Sequence, residues 1–101
     1  MAPRPLSESE IADALESLPG WTFEDDRLIR GYGFAAHLPA VAFLVHVATV
    51  QEELEHHADL ALTYNRLGVA VNTHSVGGKV TELDVTLARR VEALAPAHGA
   101  R

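Results

Sequence analysis

The chain has 101 residues, 48% of them hydrophobic and 22% charged, which reads as one small globular domain over residues 1–101. A net charge of −6 without a basic stripe excludes direct binding to nucleic-acid phosphates, and the absence of cysteine excludes disulfides, thiolate nucleophiles and Cys-rich zinc sites. No apolar run approaches the roughly 18 residues of a membrane span, and no signal-type h-region opens the chain, so the expectation is a soluble, cytoplasmic protein.

Residues 1–6, with two prolines, read as a loose lead-in, and residues 95–101 as a loose tail. Ser7 and Glu10 have the spacing of a capping box that opens a first helix, with Ile11, Ala14, Leu15 and Leu18 on one face. Pro19-Gly20 ends it. Residues 21–24 read as a strand, Asp25-Asp26 as a turn, and residues 28–34 as the returning strand.

The second helix is expected over residues 38–55, with Pro39 in its first turn. At about 100° per residue it carries two apolar stripes, Phe43, Val47, Val50 and Leu54, and Val41, Leu44, Val45 and Ala48. Only the arc of His46, Thr49, Glu53 and His56 is clearly polar. One stripe suffices to cover a sheet. The other therefore points to a homodimer or homotetramer through helix two, unless the helix is simply buried on both sides within one chain.

Leu60, Leu62 and Tyr64 alternate with Ala61 and Thr63 as in a half-buried strand, and Asn65-Arg66 supplies a turn. Leu67, Val69, Val71 and Thr73 then form one face of a partner strand that ends at His74. Gly77-Gly78 breaks it, and Thr81 caps a last helix carrying Leu83, Leu87, Val91 and Leu94. The order α-ββ-α-ββ-α predicts an α+β fold: two layers, a four-stranded antiparallel sheet with helices packed on one face.

Antiparallel pairing about that turn places residues near 57 opposite residues near 74. His56, His57 and His74 should therefore gather at one end of the sheet, beside Glu52 and Glu55 on the last turn of helix two. Imidazole titrates nearest neutrality, so such a cluster can pass protons without a metal or an organic cofactor.

The stretch Glu52-Glu53-Leu54-Glu55-His56-His57-Ala58-Asp59, with Tyr64-Asn65, Thr73-His74, Gly78 and Thr81-Glu82-Leu83-Asp84, resembles the pterin-4a-carbinolamine dehydratase family, also known as dimerisation cofactors of a homeodomain transcription factor. Gly20-Trp21 and Tyr32-Gly33-Phe34 match in order and spacing, so the resemblance covers about residues 6 to 94. The chain departs from the pattern at Ala58, where Pro is usual, and at Leu60, where many members have an aromatic; both changes should loosen the start of the hairpin. One extra residue near Lys79 leaves room for Asp84 to shift relative to the site.

The resemblance implies dehydration of a 4a-hydroxytetrahydropterin to quinonoid dihydropterin and water, serving tetrahydropterin recycling, with neither metal nor cofactor. It implies His56, His57, His74 and Asp84 as catalytic residues, and Glu52, Glu55, Asn72, Thr73 and Ser75 as substrate-binding. His56 and His74 are expected to act on protons while His57 holds the pterin, and backbone groups of residues 72–75 meet the ring's polar edge. Other readings stay open. The histidine pair can be cationic caps at a helix end, Asp84 the second half of a capping box with Thr81, and Glu52 and Glu55 plain solvated charges. The whole chain can instead be a non-catalytic dimerisation or coactivator module of the same fold, or a site for another bicyclic heterocycle.

Overall fold

The computed structural model describes residues 3–101. Ser7 caps α1 (Glu8–Glu16): its hydroxyl takes the Glu10 N–H while the Glu10 carboxylate takes the Ser7 N–H, the reciprocal box read from the sequence. β1 (Thr22–Glu24) and β2 (Arg27–Gly33) are joined through Asp25 and Asp26, whose φ angles of 51° and 59° fit a hairpin turn matched to strand twist. α2 (His37–Leu54), β3 (Asp59–Thr63), β4 (Arg66–Val71) and α3 (Glu82–Leu94) follow. The sheet is antiparallel throughout, in the order β1-β2-β4-β3, which confirms the α-ββ-α-ββ-α architecture. No helix of the described residues is long and apolar enough to cross a membrane.

The core lies between the sheet and the helices. Leu28 and Tyr32 of β2 and Leu67, Val69 and Val71 of β4 meet Phe43, Val47 and Val50 of α2 and Val85, Leu87, Ala88 and Val91 of α3. Of the two stripes of α2, the Phe43 stripe faces the sheet, with Val47 fully buried. Val45 on the other stripe is 59% exposed, and Leu38 beside it 74%. A part-buried polar clamp ties α3 to the sheet: Glu92 accepts from Trp21 Nε1 at 2.9 Å and from the Tyr32 hydroxyl at 2.6 Å, with the Arg30 guanidinium stacked on the Tyr32 ring. Burial and the neighbouring Glu92 carboxylate push the Tyr32 phenol far above its ordinary pKa.

Three local expectations are corrected. The β3–β4 turn is Tyr64-Asn65 rather than Asn65-Arg66, since Thr63 pairs with Arg66. Tertiary contacts set it there: Tyr64 takes a φ of 51°, stacks on His37 and accepts from His37 Nδ1 at 2.7 Å, while Asn65 Nδ2 donates to Phe34 O at 2.8 Å. The strand does not run to His74; its ladder ends at Val71, Thr73 makes an isolated bridge to Lys79, and His74 opens a 3-10 turn (His74–Val76). Among the described residues neither terminal segment is loose. Leu6 N–H bonds Val80 O and its side chain packs on the core, whereas Met1 and Ala2 lie outside the described residues. After α3 the chain continues as a 3-10 turn (Ala95–His98) that buries Ala95 and sets His98 against Phe43, and Arg101 exchanges two backbone hydrogen bonds with Gly33.

Two outcomes follow. Val47→Glu puts an unpaired charge in the fully buried stripe, a cost of several kcal/mol against a total stability of about 5–15 kcal/mol, and should abolish cooperative thermal unfolding by circular dichroism; Val45→Glu should keep it. The Glu10 carboxyl is held down at about 2 by hydrogen bonds from Arg4 and the Ser7 N–H. Its contribution is thus present above the ordinary value of 4.5 and lost as pH falls through 2, so Glu10→Gln should melt below wild type at neutral pH and converge with it in acid.

Candidate active site

The site is built where α2 ends. Glu55 takes a left-handed φ of 51°, and the His56 N–H turns back to Gln51 O at 3.1 Å, a Schellman-type stop without the usual glycine. That sharp turn throws two neighbouring imidazoles in different directions. His56, with 11% side-chain exposure, reaches inward and puts Nε2 at 2.6 Å from Asp84 Oδ1. His57 stays at the surface, with Nε2 at 2.9 Å from Glu52 Oε2.

Asp84 is completely buried, and it is at once helix cap and part of the site. Its Oδ2 accepts the Thr81 N–H at 2.8 Å, closing the capping box of α3, and also the Thr73 hydroxyl at 2.8 Å. Thr73 and Thr81 hydroxyls lie 2.8 Å apart. A carboxylate is acceptor-only, so His56 Nε2 carries the proton in this pair and Nδ1 is the ring nitrogen left for other work. In the segment before Asp84, Gly77 and Gly78 take left-handed φ angles of 73° and 74°, and the Thr73–Lys79 bridge closes the loop.

Glu55, His56, His57, Asn72, Thr73, His74, Ser75 and Leu83 line a cleft of about 320 Å³. The three histidines thus come together, with Asn72, Thr73 and Ser75 lining the same cleft. His74 is exposed on its 3-10 turn. Of the other residues expected at the site, Asp84 stands behind His56 rather than in the cleft wall, and Glu52 reaches the site only through His57. Among the described residues no group of three or more His, Cys, Asp or Glu side chains is arranged to hold a metal ion.

Two members escaped sequence reasoning. Leu83 was expected on the core face of α3, yet it is 41% exposed and borders the cleft, while Val85, Ala88 and Val91 set the buried face. Gln51, 5% exposed, is a buried polar residue whose side-chain Oε1 accepts the Ala58 N–H at 2.9 Å. Its signal was available: an amide flanking the arc of Val47, Val50 and Leu54, too close to the core to be solvated.

Residues 4–94 match the family profile described as pterin 4 alpha carbinolamine dehydratase. A Streptomyces avermitilis protein provisionally named pterin-4-alpha-carbinolamine dehydratase is 58% identical over 100 residues, covering 99% of each chain. One of the same provisional name from Streptomyces coelicolor is 55% identical over the same share. Among solved structures, a transcriptional coactivator/pterin dehydratase from Brucella melitensis superposes with a TM-score of 0.87 at 37% identity, covering 91% of this chain and 99% of that one. A pterin dehydratase-like RuBisCO assembly factor of the alpha-carboxysome shares the fold at a TM-score of 0.60 and 22% identity, over 74% of this chain and 86% of that one. With residues 4–94 matched to its profile, the chain belongs to the pterin 4 alpha carbinolamine dehydratase family.

Proposed function

We infer that this chain, working as one domain in the cytoplasm, dehydrates a 4a-hydroxytetrahydropterin to quinonoid dihydropterin and water, in the service of tetrahydropterin recycling. The observation that carries the reading is the convergence of His56, His57 and His74 on one cleft, with a buried carboxylate behind the first of them. The hydroxyl on C4a must leave as water, which needs a proton donor; the proton on N5 must be lost as the C=N bond forms, which needs an acceptor. Both are proton transfers, so the reading assigns no metal, redox group or covalent nucleophile to the reaction.

His56 suits the acceptor role. Its Nε2–H is fixed on Asp84, leaving Nδ1 as the basic nitrogen, and the carboxylate stabilises the imidazolium that forms when N5 gives up its proton. His74, exposed on the same cleft, suits the donor to the departing hydroxyl. His57 is held by Glu52 at the rim, where it can grip the bicycle, with Glu55 beside it. Asn72, Thr73 and Ser75 offer backbone groups to the polar edge of the ring.

The non-catalytic alternative has one observation in its favour, the exposed apolar face of α2 around Leu38 and Val45. That face serves either reading as a contact with further copies of the chain, and we assign it to a homodimer or homotetramer. At about 25 cal/mol per Å² of apolar surface, pairing such faces offsets a large part of the entropy of association.

Stopped-flow dehydration of chemically prepared 4a-hydroxytetrahydropterin tests the chemistry. His74→Ala and His56→Gln should each slow turnover by about tenfold to a thousandfold, the usual worth of one general acid or base. The glutamine keeps a donor for Asp84, whereas His56→Ala would also strand that buried carboxylate and lower the melting temperature. His37→Ala and His46→Ala should leave the rate unchanged, and wild-type rates in both site variants would end the proposal. For assembly, light scattering at micromolar concentration should show a dimer or tetramer for the unmodified chain and a smaller folded species for Val45→Glu. A clean monomer for the unmodified chain is the contrary result.

A further inference from the structure

The connection from α2 to β3 is residues 55–58 alone, and it carries both adjacent histidines. It opens with Glu55 in the left-handed region, which L side chains rarely adopt and which must be held there by its surroundings. Besides the Glu52 backbone oxygen, which accepts the Glu55 N–H at 3.3 Å, the carbonyl groups that hold it belong to one residue. The Gln51 backbone oxygen accepts the N–H groups of Glu55 and His56. Its side-chain oxygen passes over the same turn and accepts the Ala58 N–H at 2.9 Å. The amide is 5% exposed, so water does not replace either bond cheaply.

We propose that Gln51 is a positioning residue for the histidine pair: its side chain clamps the far end of the turn whose near end its main chain already holds, and so aims His56 at Asp84. The Ala58 N–H makes this clamp possible. A proline at 58, usual in the resembled pattern, has no N–H to give and restrains φ by its own ring. In this chain the constraint is supplied by a hydrogen bond from outside the residue. Loss of the clamp would let the left-handed turn relax and draw His56 Nε2 from its 2.6 Å contact with Asp84 Oδ1.

This inference rests on the dehydratase reading for its kinetic effect only; its structural effect stands apart. The near-isosteric Gln51→Met removes the acceptor and keeps the packing. It should speed exchange of the His56 ring N–H resonance with water and lower kcat by about tenfold or more, with a smaller change in KM, since displacing a catalytic group by about 1 Å can cost a hundredfold. Gln51→Met/Ala58→Pro should return both quantities to within about twofold of wild type, because the ring restores the lost restraint. A Gln51→Met protein with unchanged ring N–H exchange overturns the proposal, as does a double variant that recovers nothing. Should Gln51→Met fail to fold, the double variant decides: native fold and His56 signal support the clamp, and an unfolded chain assigns Gln51 to packing. Should the unmodified chain show no dehydration, the function proposed above fails and the ring N–H signal still decides for or against the clamp.

Discussion

One buried carboxylate holds the functional end of this molecule together. Asp84 has no exposed surface, and an unpaired charge in such a place would cost several kcal/mol. Three donors from three parts of the chain answer it: the Thr81 N–H at the start of α3, the Thr73 hydroxyl beyond the end of β4, and the His56 ring just past α2. The α3 macrodipole adds to them, since the carboxylate sits in the helix's first turn. The same interactions that make the charge tolerable fix the relative placement of two helices and a strand, and fix which nitrogen of His56 stays basic.

A second carboxylate does comparable work at the other end of α3. Glu92 ties the helix to Trp21 of the loop before β1 and to Tyr32 of β2. Eight residues of helix, about 12 Å at 1.5 Å per residue, separate the two anchors. Between them Val85, Leu87, Ala88 and Val91 pack against the sheet. Such a helix is held at both ends and along one side, and that rigidity is what a site built on side-chain directions requires.

The architecture was legible because periodicities were clean. The capping boxes at Ser7 and Thr81, the alternation of Leu67, Val69 and Val71, and the Phe43–Val47–Val50 stripe each gave one answer, and the fold followed. The gathering of the histidines was legible too, because hairpin geometry brings the start of one strand to the end of the next. What escaped depended on contacts distant in sequence. Turn chemistry favoured Asn65-Arg66, but His37 and Phe34 fix Tyr64-Asn65 instead. Spacing placed Leu83 in the core, whereas in the first turn of α3 it is the neighbouring Asp84 that is buried, against Thr73, Thr81 and His56. The tail looked unpatterned because what orders it is backbone pairing to Gly33 and one ring on Phe43.

The double duty of Asp84 bears on how descent in this fold is to be interpreted. Folding by itself makes a demand on Asp84, Thr73 and Thr81, so selection for a folded chain alone would preserve them whether or not any chemistry runs at the cleft. His74 is different: it is exposed on a short turn and carries no comparable share of the scaffold. A chain that kept the shape without the proposed reaction could drift at that histidine at little cost to stability, while its buried aspartate stayed unchanged. The surface imidazole, rather than the conspicuous buried acid, is therefore the better witness to whether a protein of this fold works as an enzyme.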